Sequence, residues 1–215
     1  MNLTEKTVKK NVIYRGKVIT LRCDDALRAD GKPCTREVIE HPGGACVLYV
    51  REGKVLLVRQ YRYPCEEETL EVPAGKLDKG EDPAVCAARE LAEETGWVPA
   101  RVEHLYTILP SPGYTAERIY IYGAHGVREG APHPDEGEFL TAAFYSAEEV
   151  KEMLASGAIK DAKTIIALQH WMLFGEKEAN RAEARPPRWG GGGGGKKKKG
   201  GRGGLGAPPF GPGGN

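Results

Sequence analysis

The sequence predicts an α/β fold in which helices cover both sides of a mixed β-sheet. Short apolar runs rich in β-branched residues recur along the chain, and turn residues such as the Asp30-Gly31 pair separate them. Amphipathic helical patterns interrupt these runs in the second half of the chain. Strands interleaved with helices are typical of a layered α/β sandwich.

The first strands come in hairpins. The segment NVIYRGKVITLRC predicts two strands joined at Gly16-Lys17, and Asp30-Gly31 marks the next turn. The runs ACVLYV and VLLVRQY predict a further hairpin around residues 51–54, and TLEVPAG predicts a short strand that ends in a Pro-Ala-Gly turn. Residues 1–40 are therefore expected to form an N-terminal antiparallel strand region.

The helices follow these strands. Asp82 and Pro83 suit the N-cap and the first position of a helix, and Gly96 suits its end. Further strands are predicted at 102–109, 119–123 and 139–145, and two more helices at 147–155 and about 164–174. These elements place the main domain at residues 41–178.

The composition indicates a globular protein. Hydrophobic residues make up 40% and charged residues 28% of the 215 residues, and no run approaches the ~20 apolar residues of a membrane span. The N-terminal segment MNLTEKTVKKNVIY has no apolar block of the kind found in a signal peptide. We therefore expect a cytoplasmic protein that does not bind membranes. The five cysteines form no CxxC pair and are expected to be reduced thiols.

The last part of the chain has a different composition. Residues 181–215 carry eight basic side chains against one acid, a charge of +7, so the rest of the chain carries −6. Glycine and lysine dominate there, which predicts a disordered tail at residues 179–215. A basic tail is compatible with RNA binding, but its few arginines and single aromatic residue make nucleic acid an unexpected partner.

Three carboxylates share one face of the first predicted helix. Glu90, Glu93 and Glu94 are neighbours at helical spacing, on a sector separate from the apolar one formed by Ala84, Ala88, Leu91 and Thr95. Such acids repel one another unless a cation lies between them, and oxygen ligands suit Mg²⁺, with Mn²⁺ as an alternative. A solvated acidic helix face is the competing interpretation.

The residues around these acids resemble a known motif. The order Gly-x5-Glu-x7-Arg-Glu-U-x-Glu-Glu-x-Gly-U, in which U is apolar, is the box of the Nudix hydrolase family. It is matched here by Gly75, Glu81, Arg89, Glu90, Leu91, Glu93, Glu94, Gly96 and Trp97. The resemblance implies a Nudix α/β/α sandwich and attack by water on a diphosphate that is linked to another group.

The same resemblance implies roles for the box. Glu90 and Glu94 would be the main metal ligands, with Glu93 as a third, and the carbonyl of Ala74 would complete the protein's share. Arg89 is expected to pair with a neighbouring acid, and direct contact with phosphate is its less favoured role. Glu81 is expected to orient the loop or to bind a metal through water.

Flanking residues resemble the ADP-ribose pyrophosphatase subfamily. Pro112 lies sixteen residues after Gly96, within a segment, PSPGYTAERIY, that looks like its substrate loop. The resemblance assigns substrate contacts to Arg59, Arg62, Pro112, Gly113 and Glu117, and it places Arg36 and Glu37 at the adenine and ribose across the interface of a homodimer built by residues 1–40. An ordinary Pro-Gly turn and a plain surface strand are the competing interpretations.

A second acidic segment completes the predicted site. The loop Asp135-Glu136-Gly137-Glu138 corresponds to one that carries a glutamate near the attacking water in relatives, so Glu138, with Glu136 as second choice, is the expected general base. A solvated acidic loop is the alternative. For the whole chain we expect hydrolysis of ADP-ribose. The alternatives are another substrate such as GDP-mannose, a Nudix-fold nucleotide sensor without catalysis, and an RNA-directed protein.

Overall fold

A computed structural model describes residues 2–135 and 137–175. The predicted tail at 179–215 and Glu136 lie outside the described residues. The strands are β1 Lys6–Lys9, β2 Val12–Arg15, β3 Thr20–Leu27, β4 Pro33–Glu40, β5 Gly44–Leu48, β6 Val50–Arg51, β7 Lys54–Arg62, β8 Glu67–Glu71, β9 Ala74–Lys76, β10 Trp97–Val98, β11 Arg101–Ile108, β12 Ile119–His125, β13 Arg128–Glu129 and β14 Leu140–Ser146. The helices are α1 Pro83–Thr95, α2 Ala147–Ala155 and α3 Ala162–Phe174.

The N-terminal strands form an antiparallel sheet around β3. Strand β3 pairs with β1, β2 and β4, and the hairpin between β3 and β4 turns at Gly31, which has a φ of +80°. Arg22 on β3 is buried and forms an ion pair of 2.8 Å with the buried Asp24. Both outer strands, β1 and β2, are exposed along their whole length.

Two further sheets form the middle of the molecule. One has the order β11-β12-β5-β9, in which β12 and β5 are parallel, and the other has the order β14-β7-β6 with β8 on β7. The predicted strand ACVLYV divides at Tyr49, so β5 joins the first sheet and only β6 completes the hairpin with β7. Strands β1, β10 and β13, which are two to four residues long, had no recognisable sequence pattern.

Helices cover these sheets on two sides. Side chains alternate along β5, so that Ala45 and Val47 belong to a core with α1 and Leu91, while Cys46 belongs to a core with α3 and Leu168. This two-sided burial explains why all of β5 is apolar. Each fully buried leucine contributes about 1.5–3 kcal/mol. The predicted α/β/α sandwich around a mixed sheet is confirmed.

Helix α1 begins and ends where its sequence predicts. The Asp82 carboxylate accepts a hydrogen bond of 2.7 Å from the backbone N–H of Ala84, and Pro83 occupies the first position. At the other end Gly96 has a φ of +78°, and a Cβ there would lie 2.8 Å from the carbonyl oxygen of Gly130. Glycine is required at this position by both its dihedral angle and the close approach.

Two expectations about the whole chain can be compared with the described residues. Within 2–135 and 137–175, none of the helices has the length and apolar character needed to cross a bilayer. All five cysteines are free thiols.

Candidate active site

The box helix and strand β9 meet at two carboxylates. Glu94 accepts a hydrogen bond of 3.1 Å from the backbone N–H of Ala74. The Glu90 carboxylate lies against Gly75 so closely that a Cβ on Gly75 would overlap it. Glycine at this position therefore allows β9 to approach the acidic side of α1, which explains its place at the start of the box.

The three helix carboxylates differ in how deeply they are buried. Glu94 is 5% exposed and lies with Ala87 and Leu91 on the buried side of α1, whereas the Glu93 side chain is 33% exposed. The acidic sector therefore reaches the buried side of α1 at Glu94. Positions 87, 91 and 94 follow one another at spacings of four and three residues, which aligns them on the helix.

Burial changes the titration of the two inner carboxylates. Loss of hydration raises the pKa of Glu90 to about 7 and that of Glu94 to about 8, and repulsion from Glu138 adds to both increases. Arg62 opposes the increase in the pKa of Glu94. Burial makes the ionised form of both acids unfavourable when no cation is near. A cation bound between them would therefore be strongly stabilised.

Arg89 binds the loop that precedes α1. Its guanidinium donates to Glu81 at 2.9 and 3.1 Å and to Glu93 at 2.8 Å, and it forms an ion pair of 2.8 Å with Glu90. It also donates to the carbonyl of Lys76 at 3.4 Å. These hydrogen bonds raise the pKa of Arg89 and lower that of Glu81. Because protein acids engage Arg89 on several sides, the geometry favours loop positioning over contact with phosphate.

Glu81 also has a local role. Its carboxylate accepts a hydrogen bond of 2.9 Å from the backbone N–H of Asp78, and its own N–H donates to the Asp78 carbonyl at 3.0 Å. These bonds close the turn that leads into α1.

The loop that carries Glu138 is attached to the end of α1 by backbone atoms. The N–H of Gly130 donates to the carbonyl of Gly96 at 2.7 Å, and that of His133 donates to the carbonyl of Glu93 at 2.8 Å. These bonds bring Glu138 within electrostatic range of Glu90 and Glu94. The second choice, Glu136, lies outside the described residues.

The two arginines of β7 lie in different surroundings. Arg62 donates from Nε and Nη2 to the buried Glu71, at 2.7 and 2.6 Å, and it is near enough to Glu94 to affect the pKa of that carboxyl. Arg59 is half-exposed and forms a long ion pair of 3.8 Å with Glu68. Residues 59 and 62 fall on opposite faces of a strand, so the structure brings Arg62 to the carboxylates and not Arg59.

The predicted substrate loop is attached to the end of β4. Ile39 donates to the carbonyl of Tyr114 at 2.7 Å and accepts from Ala116 at 3.1 Å. Glu117 is half-buried, with its carboxylate 3.4 Å from Nδ1 of His41. Two other predicted contacts, Pro112 and Gly113, are exposed on this loop.

Arg36 and Glu37 are both exposed on β4. Arg36 donates to Glu5 at 2.8 and 2.5 Å, which links β4 to the segment before β1. Within the described part of this chain, the structure does not bring this pair into contact with the box.

The sequence analysis missed Glu71, Lys163 and Thr164. Glu71 is 2% exposed, and Lys163, which is 92 residues further along the chain, donates to it at 2.5 Å. Thr164 is fully buried, and its hydroxyl accepts from the backbone N–H of Val72 at 2.9 Å. An acid inside the otherwise apolar strand TLEV was the available signal.

The donor set can be compared with what Mg²⁺ requires. Among the described residues, no three or more His, Cys, Asp or Glu side chains converge as a complete cage for a metal. Magnesium usually takes only one or two carboxylates and completes its shell with water and substrate phosphate. Glu90 and Glu94, buried beside Ala74 and Gly75, fit that smaller requirement.

Two bacterial proteins cover most of the chain. A methanol dehydrogenase activator of Bacillus methanolicus is 41% identical over 172 residues, which are 79% of this chain and 93% of that protein. An ADP-ribose pyrophosphatase of Bacillus subtilis (strain 168) is 39% identical over 185 residues, 85% of this chain and 98% of the relative.

A solved structure and a family model complete the comparison. The crystal structure of an ADP compounds hydrolase superposes with a TM-score of 0.73 at 20% identity, covering 84% of this chain and 99% of the other, which shows a common fold. The family model for the NUDIX domain matches residues 40–168, from the end of β4 to the middle of α3. On this match and the identity to the two bacterial relatives, the chain belongs to the NUDIX family.

Proposed function

We propose that this protein hydrolyses the diphosphate of ADP-ribose, with Mg²⁺ as the metal and Mn²⁺ as the alternative. The observation that carries the proposal is that the Glu90 and Glu94 carboxylates lie against Gly75 and Ala74. Glu138 is within electrostatic range of both carboxylates, and Arg62 is within electrostatic range of Glu94. Carboxylates there suit a divalent cation, and a guanidinium suits a diphosphate. The similarity to the ADP-ribose pyrophosphatase of B. subtilis supports this choice of substrate.

The residues that would hold the metal are Glu90 and Glu94, with the carbonyl of Ala74 and with Glu93 as a third side chain. When bound, such an ion neutralises the diphosphate and lowers the pKa of water. The fit rests on the burial of Glu90 and Glu94 and on their raised pKa values.

The other site residues bind the substrate, position the loop or accept a proton. Arg62 binds the diphosphate, and Arg89 keeps Glu81 and the loop against α1. Glu138 accepts a proton from the water that attacks one phosphorus. The bond from that phosphorus to the bridging oxygen breaks, which gives AMP and ribose 5-phosphate from ADP-ribose and one water. Pro112, Gly113 and Glu117 line the substrate from the loop attached to β4.

The proposal includes a cytoplasmic homodimer in which the N-terminal strands of one protomer reach the site of its partner, through Arg36 and Glu37. Its support is the apolar surface of β2 in the single chain, where Val12, Ile13 and Tyr14 are between 41% and 64% exposed. Exposed apolar clusters of this kind are typical of interfaces. Analytical ultracentrifugation should give a dimer for the full chain and a monomer for Ile13→Asp. A wild-type monomer would contradict the dimer.

A substrate panel tests the activity. ADP-ribose, ADP-glucose, GDP-mannose and a diadenosine compound are incubated with the protein and Mg²⁺, and the products are separated by chromatography. ADP-ribose should have the highest kcat/KM and should yield AMP. Faster cleavage of GDP-mannose or of the diadenosine compound would change the substrate and keep the reaction. Absence of cleavage of every compound with either metal would favour a nucleotide sensor.

The general base has its own test. Glu138→Gln should lower kcat by ~100-fold or more, because a general base supplies that range of acceleration. KM should change much less, since the lost interaction belongs to the transition state. Glu129→Gln is the matched control, because Glu129 is an exposed acid on β13, earlier in the same connection. Equal activity of both variants would remove Glu138 from the mechanism.

Activation of a dehydrogenase is a second candidate function. It is favoured by the 41% identity to a protein named as a methanol dehydrogenase activator. A methanol dehydrogenase should then turn over faster when this protein is added. The Glu94→Gln variant tells whether hydrolysis is needed for that effect.

A further inference from the structure

The hydrogen-bond network around Glu71 leads from helix α3 to Arg62. Glu71, at the end of β8, is 2% exposed and accepts from four side-chain nitrogen and oxygen atoms. Two of these belong to Arg62, at 2.7 and 2.6 Å, one to Thr69 at 2.5 Å and one to Lys163 at 2.5 Å. A buried carboxylate with so many donors is held in a single position.

Arg62 is thereby fixed in orientation. Nε and Nη2 both donate to Glu71, which is the planar two-point contact that a guanidinium makes with a carboxylate. Within residues 2–135 and 137–175, Nη1 has no hydrogen-bond partner, and the side chain as a whole is 39% exposed. One edge of the guanidinium is therefore bound to the protein, while the other remains for a ligand.

Lys163 keeps Glu71 in place from the opposite side. It is 8% exposed, and its ammonium group contacts Glu71 at 2.5 Å and Asp161 at 3.0 Å. The start of α3 that carries it is itself bound to the connection between β8 and β9, because the Thr164 hydroxyl accepts from the N–H of Val72 at 2.9 Å. Glu71 is thus held between two rigid elements, β8 and α3.

We propose that Glu71 and Lys163 are positioning residues that hold Arg62 in the orientation required to bind the diphosphate. This inference rests on the proposed function, in which Arg62 contacts the substrate. Arginine has high rotamer entropy, and a side chain already ordered in the folded protein loses little more when a ligand binds. The Glu71–Lys163 pair therefore acts on substrate affinity and not on the chemical step.

A double-mutant cycle separates this role from a contribution to stability alone. KM and kcat for ADP-ribose are measured at saturating Mg²⁺ for the wild type, Glu71→Gln, Arg62→Ala and the double variant. Glu71→Gln should raise KM about tenfold, the factor that ordering one flexible side chain is worth, with kcat nearly unchanged. In the Arg62→Ala background the same substitution should have no further effect on KM, because its target is gone.

Two other variants keep the test decisive. Glu71→Gln combined with Lys163→Met removes both buried charges, so it should fold even if Glu71→Gln does not. It should show the raised KM of Glu71→Gln. Lys160→Met is the matched control, because the Lys160–Glu67 ion pair of 2.5 Å also joins the start of α3 to β8 but is exposed and does not touch Arg62. Its KM should equal that of the wild type.

The outcomes distinguish this inference from the proposed function. Equal effects of Glu71→Gln with and without Arg62, or an unchanged KM in Arg62→Ala, would overturn the positioning role while ADP-ribose hydrolysis stands. If the wild type does not cleave ADP-ribose, the proposed function fails, and the same cycle is measured by calorimetry with inorganic pyrophosphate. Coupling between Glu71 and Arg62 in that titration would support the inference, and its absence would overturn it.

Discussion

Glu71 and Glu94 are both deeply buried, and burial favours the neutral form of each, but their pKa values are shifted in opposite directions. Glu71 is 2% exposed, and its cationic and hydroxyl partners lower its pKa to about 2. Glu94 is 5% exposed, and its pKa rises to about 8 because desolvation outweighs the opposing effects of the hydrogen bond from the Ala74 N–H and the charge of Arg62. The difference shows that the fold supplies the countercharge for Glu71 and leaves that of Glu94 to come from outside.

The loss of Glu94 should have the largest effect. Glu94→Gln removes one charge from the proposed metal site, and we expect turnover of ADP-ribose to fall by ~100-fold or more. Replacing a residue that only orients a metal ligand already lowers activity by up to about 100-fold, and loss of a ligand should cost at least as much. Steady-state kinetics across Mg²⁺ concentrations measures it. Wild-type turnover at limiting Mg²⁺ would show that Glu94 is not a ligand.

Stability of the same variant sharpens the comparison. In metal-free buffer at pH 7, Glu94→Gln should melt at least about 2–4 °C higher, the shift produced by ~1 kcal/mol in a chain of this size. The wild type is the less stable protein at pH 7 because the pKa of Glu94 is higher in the folded state than its value of 4.5 in the unfolded state. Its protonated carboxyl favours folding below pH 4.5, and this stabilisation is lost as the pH rises to about 8.

Glu71→Gln should have the opposite effect on stability. It breaks a buried ion pair, and we expect a loss of about 3 kcal/mol in the free energy of unfolding at pH 7, measured with urea. The folded pKa of about 2 lies below the unfolded value, so the wild type loses this stabilisation as the pH falls from 4.5 to 2. The difference between the two proteins should therefore narrow in acid. A constant difference would separate the effect from ionisation of Glu71.

The affinity for Mg²⁺ should depend on pH through Glu90 and Glu94. Their pKa values of about 7 and 8 mean that metal binding displaces up to two protons. Affinity should therefore rise by more than about tenfold between pH 6 and 7 and by about tenfold between pH 7 and 8. Calorimetry in buffers of different ionisation enthalpy counts the released protons. In Glu94→Gln the slope should decrease, since only Glu90 then releases a proton. An affinity independent of pH would contradict the raised pKa values.

The smallest effect is expected at the exposed pair Lys160–Glu67. Lys160→Met should change the free energy of unfolding by less than about 1 kcal/mol, because exposed ion pairs are well solvated in either state. The same urea titration measures it. A loss as large as that of Glu71→Gln would show that burial is not what separates the two pairs.

The sequence was sufficient wherever structure depends on neighbours along the chain. Asp82, Pro83 and Gly96 predicted both ends of α1 because caps act within one turn of a helix. The reaction class was implied by the resemblance of residues 75–97 to the box of the Nudix hydrolase family. The layered fold followed from the alternation of strands and helices.

Contacts between distant segments were beyond sequence reasoning. The Glu71–Lys163 bond joins residues 92 positions apart, and nothing near either residue indicates the other. The burial of Glu94 depends on how β9 packs against α1, which helical spacing alone does not determine. Arg62 was preferred over Arg59 as a substrate contact only by resemblance, and the alternation of side chains along the strand supplies the physical reason that separates them.

The attachment of the loop at residues 130–138 has a consequence for how this loop could be redesigned. Its two bonds to the end of α1, Gly130 to Gly96 and His133 to Glu93, use only backbone atoms. Side chains beyond His133 can therefore be exchanged, or residues inserted, without loss of the anchors that hold the loop beside the helix. A segment inserted after His133 would begin at the same place beside α1. Its length would then determine how far from the helix an acid in that segment lies.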